Sequence, residues 1–167
     1  MNSNLLSDWL GYINSNRPNE EEFGLERLRE LFKKTVSQNL ANKVVIVGGT
    51  NGKGTTVEYL KNFLIESGCN VGVYTSPHLI NFNERIRINN RTASDDEIVR
   101  AFKFIENNKN STRLTYFDYA TLAAFKIFAE ENLDFAILEI GIGGKYDPVN
   151  LICLLYTSDA ADEGLGV

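Results

Sequence analysis

Residues 43–56 read KVVIVGGTNGKGTT, a β-branched run followed by a glycine-rich turn. The run Lys43–Val47 is typical of a parallel strand that is buried on both faces. A helix that ends near Gly68 is predicted after the turn, with its apolar positions at Val57, Leu60, Phe63, Leu64 and Ile65. A strand, a glycine-rich turn and a helix in this order form the context that a phosphate-binding loop requires.

The turn carries the chemistry needed to bind a polyphosphate. Its glycines let successive backbone N–H groups face an anion, and the helix N-terminus adds a partial positive charge. Lys53 can reach the β- and γ-phosphates, and a hydroxyl of Thr55 or Thr56 can ligate magnesium. The pattern is a shorter variant of G-x-x-x-x-G-K-[ST], because Val47 stands at the expected first glycine and Gly54 follows the lysine.

Two further strands have unusual ends. Val71–Tyr74 leads into Ser76-Pro77-His78, and residues 135–139, FAILE, end in Glu139. Helical patterns alternate with these strands, so the sequence predicts an α/β fold, a parallel sheet flanked by helices. Ligands of such sheets bind at the carboxyl ends of the strands. Ser76 and Glu139 are therefore candidate oxygen ligands for magnesium beside the phosphate loop.

Simpler structural roles stay open for these residues. Ser-Pro-His is a common turn, and His78 is either a hydrogen-bonded structural residue or a loop residue that contacts substrate. Nearby N–H groups or Lys145 would also satisfy the Glu139 carboxylate. Arg85 and Arg87 alternate with isoleucines, which is typical of a solvated strand face.

The composition excludes several classes of protein. The chain has 167 residues, a net charge of −5 and 43% hydrophobic residues, as expected of a globular domain. The acidic balance argues against a nucleic-acid partner, and no apolar run approaches the ~20 residues of a membrane-spanning helix. The N-terminus lacks a signal-peptide pattern, and two cysteines cannot form a disulfide framework. We expect a cytoplasmic monomer without a nucleic-acid or membrane partner.

Six motifs occur in one order between about Trp9 and Asn150: FGLER, GTNGKGTT, VGVYTSPHL, NERIRI, LTYFDYATL and LEIGIGGKYDPVN. Together they resemble the N-terminal part of the folylpolyglutamate synthase and dihydrofolate synthase family, relatives of the Mur ligases. The resemblance implies a Mur-ligase-like central ATPase domain that contains a P-loop. It also implies ATP-dependent, magnesium-dependent ligation of L-glutamate to dihydropteroate or reduced folates through an acyl phosphate.

The resemblance further implies roles for individual residues. Those that would bind ATP are Thr50, Asn51, Gly52, Lys53, Gly54 and Thr55. Magnesium would be held by Thr55, Ser76 and Glu139, and the catalytic residues would be Lys53 and Glu139. The residues that would line the substrate site are Glu22, Phe23, Gly24, Leu25, His78, Thr115, Tyr116, Phe117, Asp118 and Tyr146. No protein nucleophile is expected, because ATP supplies the activation.

The chain departs from the family pattern at three places in its substrate motifs. Asp118 stands where the family usually has glutamate, Lys145 replaces an arginine, and Pro148-Val149 replaces alanine and threonine. Aspartate has a shorter reach than glutamate, and lysine lacks the planar fork of arginine. These departures concern the substrate contacts more than the nucleotide site.

Two other functions stay open: a Mur-type ligase of peptidoglycan precursors, and a nucleotide-binding fragment without catalysis. Residues 1–150 are interpreted as the N-terminal part of the ATP-binding domain. Residues 151–167, LICLLYTSDAADEGLGV, do not resemble the family and are interpreted as a non-native tail, although Leu151-Ile152 would suit a strand. The family's remaining metal ligands and its C-terminal glutamate-ligase domain would lie beyond this region. The 167 residues alone are therefore expected to bind nucleotide weakly and to form no amide.

Overall fold

The computed structural model describes residues 3–15, 24–36, 39–142 and 144–153. Its helices are α1 (Leu6–Ser15), α2 (Arg29–Thr35), α3 (Lys53–Glu66), α4 (Asp95–Asn108) and α5 (Tyr116–Ala129). Its strands are β1 (Lys43–Val47), β2 (Val71–Tyr74), β3 (Ile86–Ile88), β4 (Arg91–Thr92) and β5 (Phe135–Glu139). Short 3₁₀ turns cover Glu26–Leu28, Phe82–Arg85, Gly144–Tyr146 and Pro148–Asn150.

The strands form one sheet in the order β1-β5-β2-β3-β4. β1, β5 and β2 are parallel, which confirms the predicted parallel sheet for three of its five strands. β3 and β4 differ from that prediction, since they form an antiparallel hairpin on the β2 edge. Asn89, at φ 54°, lies in the tight turn of the hairpin. A two-residue turn can reverse the chain, whereas parallel strands need a long crossover.

The register of the parallel strands brings three chain segments to one edge. Val47 pairs with Glu139, and Leu138 pairs with Tyr74. The phosphate loop after β1, the acid at the end of β5 and the loop after β2 therefore begin side by side. This edge is the one at which ligands bind in sheets of this kind.

Helices cover both faces of the sheet. On one face α3 packs Val57 and Leu64 against Val73 and Ile137. On the other face α1, α2, α4 and α5 form a thicker layer, and α5 is buried along most of its length. Among the described residues, no helix combines the length and the apolar character needed to cross a membrane.

The helix starts show how far local signals can be followed. The pattern S-D-D-E at residues 94–97 predicts a capping box, and Ser94 and Glu97 form it at the start of α4. The sequence pattern predicts a helix over roughly Tyr119 to Glu130, but α5 begins three residues earlier, at Tyr116. The reason is a second capping box, in which the Thr115 hydroxyl accepts the Asp118 N–H and the Asp118 carboxylate accepts the Thr115 N–H.

The first residues of the interpreted tail pack into the main core. Leu151 and Ile152 are 0% and 2% exposed, and they are helical rather than the strand that their composition suits. Residues 154–167 lie outside the described residues. The division of the chain at residue 150 stays a prediction.

We predict that Gly72→Ala destabilises the fold. A Cβ atom at Gly72 would lie 2.6 Å from Leu133 Cδ1 and 3.1 Å from the Phe128 ring. Overpacking of this kind costs about 1–3 kcal/mol, which a lower urea midpoint with an unchanged slope would report. Gly11→Ala is the control, because Gly11 lies in α1 with nothing within 4 Å of an added Cβ. Equal midpoints for the two variants would contradict the prediction.

Candidate active site

The phosphate loop runs from the end of β1 into the first turn of α3. Gly52 precedes the helix at φ 76° and has no side chain, so the first N–H groups of α3 lack a side-chain cap and can bind an anion. Lys53 Nζ donates to the Gly49 carbonyl at 2.9 Å. The Thr56 hydroxyl donates to the Gly52 carbonyl at 3.0 Å, which leaves the exposed Thr55 as the freer hydroxyl ligand. The remaining predicted ATP-binding residues are exposed around this turn: Thr50, Asn51 and Gly54.

The acid at the end of β5 lies against the loop after β2. Glu139 is 4% exposed, and its Oε2 accepts the Ser76 N–H at 3.3 Å. Burial raises the pKa of the Glu139 carboxyl, while the Ser76 N–H and the charges of Lys53 and Arg87 act in the opposite direction. Both residues border a cavity of about 500 Å³, called the charged cavity below. Its lining is Gly54, Glu58, Thr75, Ser76, Pro77, Leu79, Glu84, Arg87, Thr92 and Glu139.

The oxygen atoms beside the charged cavity fit a hard cation. Thr55 and Ser76 offer hydroxyls and Glu139 a carboxylate, which are ligands that magnesium accepts. In the part of the chain that the structure describes, no group of three or more His, Cys, Asp or Glu side chains could hold a metal ion. A cation at this edge would therefore need further ligands, such as water, phosphate oxygens or groups outside the described residues.

A second cavity, of about 380 Å³, lies between the start of α5 and the segment after β5. Its wall is mostly apolar, with Phe117 and Tyr146 as flat surfaces, and it is called the apolar cavity below. Four other predicted substrate residues line it: Gly24, Leu25, Thr115 and Asp118. The rest of its lining is Arg27, Leu28, Ile142, Asp147 and Pro148. Glu22 and Phe23, also predicted for this site, lie outside the described residues.

Asp118 is held by two partners at the edge of the apolar cavity. The residue is 1% exposed, and its Oδ2 accepts the Thr115 N–H at 2.7 Å and Arg27 Nη2 at 2.5 Å. The second Arg27 amine, Nη1, donates to the Arg113 carbonyl at 2.6 Å. The shorter carboxylate noted in the sequence is thus used to cap α5 and to anchor Arg27.

One lining residue of each cavity lies close to Gly141, the second residue after Glu139. A Cβ atom at Gly141 would overlap the edge of the Phe117 ring and would lie 3.0 Å from Ser76 Oγ. Only a glycine therefore allows the Ser76 hydroxyl and the Phe117 ring to approach this closely. The buried Asp147 carboxylate fixes the segment by accepting the N–H groups of Gly141 and Ile142 at 2.7 and 2.9 Å.

His78 and Tyr116 were predicted to contact substrate, but they pack around Arg85 and line neither cavity. Arg85 Nε donates to His78 Nδ1 at 2.7 Å. The guanidinium lies 5.6 Å from the centre of the Tyr116 ring and 5.8 Å from that of Phe82. Burial lowers the pKa of His78, and the Arg85 charge lowers it further. A substrate contact by either residue stays a prediction.

The solvated strand face expected of Arg85 and Arg87 is wrong. Arg85 is 7% exposed and ends a 3₁₀ turn instead of continuing the strand. The Arg87 side chain is 18% exposed and forms an ion pair with Glu58 of α3. Both arginines face carboxylates or aromatic rings inside the molecule, where a charged side chain is stable only with such partners.

Sequence reasoning also missed Arg27 and Asp147. Asp147 precedes Pro148 and accepts the Val149 N–H at 2.9 Å, which is the cap of a short turn. An Asp-Pro pair at a helix start is a known local signal and could have identified it. Arg27 has no comparable signal, because its partner Asp118 lies on a different element.

Comparisons with known proteins point to one family. No protein-family model matches the chain. It is 41% identical over 147 residues to the dihydrofolate synthase/folylpolyglutamate synthase of Haemophilus influenzae, covering 88% of this chain and 33% of that protein. The protein of the same name from Escherichia coli is 37% identical over 147 residues, covering 88% and 35%.

Solved structures give the same result for the fold. The bifunctional folylpolyglutamate synthase/dihydrofolate synthase of Yersinia pestis, complexed with AMPPNP and Mn, has a TM-score of 0.83 and 39% identity. The match covers 88% of this chain and 36% of that one. Escherichia coli FolC in complex with DHPP and ADP has a TM-score of 0.82 and 36% identity, again over 88% and 36%.

Likeness in sequence and likeness in fold extend over the same share of the chain, 88%. The chain spans about a third of the length of the curated relatives that it matches. In sequence and in fold, it belongs with the dihydrofolate synthase/folylpolyglutamate synthase family.

Proposed function

We propose that this chain supplies the nucleotide-binding and pterin-binding part of an ATP-dependent ligase. The reaction joins L-glutamate to dihydropteroate, to reduced folates or to both. The contact at Gly141 carries the proposal, because Ser76 of the charged cavity and Phe117 of the apolar cavity approach each other there. A ligase of this class needs these two sites adjacent, since the carboxylate of one substrate must reach the terminal phosphoryl group of the other.

The charged cavity supports the nucleotide half of the proposal. The uncapped N–H groups of α3 and the Lys53 ammonium favour the phosphates of ATP. Thr55, Ser76 and Glu139 are suited to hold magnesium, which would neutralise charge on the β- and γ-phosphates when bound. Of the two similar solved structures, that from Yersinia pestis contains AMPPNP and Mn, and that from Escherichia coli contains ADP. Catalysis here would rest on position and charge neutralisation, without a protein nucleophile.

The chemistry consists of two displacements. An oxygen of the substrate carboxylate forms a bond to the γ-phosphorus, and the bond to the leaving ADP breaks. The glutamate amine then attacks the acyl carbon, phosphate leaves, and the amine loses a proton as the amide forms. Lys53 would stabilise the transferring phosphoryl group, and the apolar cavity would keep water away from the acyl phosphate.

The apolar cavity supports the pterin half of the proposal. Phe117 and Tyr146 offer surfaces against which a flat heterocycle can pack. A volume of about 380 Å³ suits a ring system of that size. The other expectations from the sequence, a monomer in the cytoplasm without a nucleic-acid or membrane partner, stay predictions.

We predict that the chain, extended to the length of its relatives, releases phosphate from ATP when dihydropteroate or a reduced folate is added with L-glutamate. A coupled phosphate assay measures this release. Lys53→Met should lower the rate about a hundredfold, because it removes a positive charge aimed at the phosphates. Lys33→Met, on the exposed face of α2, is the matched control. Stimulation by a peptidoglycan precursor in place of both pterins would favour the Mur-type alternative.

Glu139→Gln is expected to stabilise the metal-free chain and to weaken its use of magnesium. The variant removes a buried charge but keeps an oxygen that can accept the Ser76 N–H. At neutral pH the urea midpoint should rise. Calorimetry should show that magnesium no longer strengthens AMPPNP binding. Glu66→Gln, at an exposed position of α3, should change neither quantity. A lower midpoint for Glu139→Gln would contradict the proposed role of this buried carboxylate.

Gly141→Ala should weaken pterin binding selectively. The added methyl group would displace the Phe117 ring toward the apolar cavity, and a cost of about 1–3 kcal/mol corresponds to a tenfold or greater loss of affinity. Calorimetry with dihydropteroate measures the loss, and ADP affinity should stay within about twofold. The control is Gly48→Ala, whose methyl group would meet Ile140 at an ordinary 3.7 Å. Unchanged pterin affinity would exclude this arrangement of the two sites.

A further inference from the structure

Arg87 of β3 reaches the charged cavity across the face of the sheet that α3 covers. It pairs in register with Val73, and directly opposed residues of an antiparallel pair share a face. Val73 packs with Val57 and Leu64 of α3 on that face. Arg87 lines the charged cavity together with Gly54, the second residue of α3, and Glu139.

Arg87 shares its carboxylate partner, Glu58, with Lys61. The Glu58 carboxylate accepts from Lys61 Nζ at 2.8 Å through one oxygen and pairs with Arg87 through the other. Partial burial raises the pKa of Glu58, but the two cations outweigh it and hold the pKa below its usual range. One carboxylate is thus shared by two cations, while Glu84 and Glu139 also line the cavity. Arg87 faces the cavity, whereas the side chain of Lys61 is 9% exposed.

One donor of Arg87 is also unused. Its Nε–H is buried and has no hydrogen-bond acceptor among the described residues. A buried donor without an acceptor is unfavourable, and such groups are rare in folded proteins. Arg91 of the same hairpin is a contrast, because both its terminal nitrogens bind the Glu97 carboxylate at the surface. The position of Arg87 at the cavity and its unused N–H together indicate an anionic oxygen acceptor that arrives with a ligand.

We infer that Arg87 binds an oxygen of the terminal phosphoryl group of a nucleoside triphosphate in the charged cavity. The inference rests on the proposed nucleotide site and adds a residue to it. A guanidinium is suited to this role, since its planar donors match phosphate oxygens. The Arg87 charge also acts on Glu139, the proposed metal ligand, from the same side. If Arg87 served only to link β3 to α3, its ion pair with Glu58 would be sufficient. The Nε–H without an acceptor would then have no explanation.

The test compares AMPPNP and ADP binding to the 167-residue chain in the presence of magnesium. Arg87→Lys keeps a positive charge but removes the Nε–H and the planar fork. We expect AMPPNP affinity to fall about tenfold, because a charge-assisted hydrogen bond is lost, while ADP affinity stays within about twofold. Arg91→Lys is the matched control on the same hairpin and should change neither affinity. Circular dichroism melting verifies that each variant is folded.

The Glu58→Gln variant tests whether Arg87 binds phosphate or only links β3 to α3. It removes the counter-charge and leaves the guanidinium in place, so the preference for AMPPNP over ADP should be kept or increased. A fall in that preference for Glu58→Gln would overturn the inference. Equal loss of both nucleotides in Arg87→Lys, or no loss, would overturn it too. If the unaltered chain binds ADP, the proposed nucleotide site is supported independently of the result for Arg87. If the unaltered chain binds neither AMPPNP nor ADP, both proposals are contradicted.

Discussion

The parallel register of β1, β5 and β2 is the constraint on which the candidate site depends. Val47, Glu139 and Tyr74 reach the same sheet edge because the pairing fixes them there. A slip of one residue in β5 would turn Glu139 to the opposite face. The carboxylate would then leave Ser76 and enter the apolar layer beneath α5, where it has no partner. Residues 135–138 are all apolar and Glu139 is the one charged residue of the strand, so the slip is opposed by the cost of burying that charge without a partner.

The part of the site built from local signals could be predicted from the sequence. The run KVVIV and the turn GTNGKGTT set a strand, a phosphate loop and a helix start within a few residues. Ser94 with Glu97 gave the start of α4 for the same reason. The start of α5 was misplaced because its capping box uses Asp118, where the usual pattern has glutamate or glutamine.

The parts that depend on contacts between distant elements could not be predicted. The alternation around Arg85 and Arg87 correctly indicated a strand, but gave no information about which charges face it. Arg87 is paired because α3 passes over the sheet with Glu58 on its near side. Arg85 is buried because the chain turns at Phe82 and places two aromatic rings beside the guanidinium. Periodicity can be recognised in the sequence, whereas the stability of a buried charge depends on the partners that the tertiary fold places next to it.

The Gly141 segment lies between a residue of the apolar cavity, Phe117, and a residue of the charged cavity, Ser76. Asp147 accepts the N–H groups of Gly141 and Ile142, so these two donors are satisfied within the protein. The two donors therefore need no water, which favours an apolar environment on the Phe117 side. An acyl phosphate formed at this boundary would have its phosphoryl oxygens among cations and its acyl group in a dry environment. Gly141 thus allows Ser76 and Phe117 to approach each other, and Asp147 favours the apolar environment on the Phe117 side.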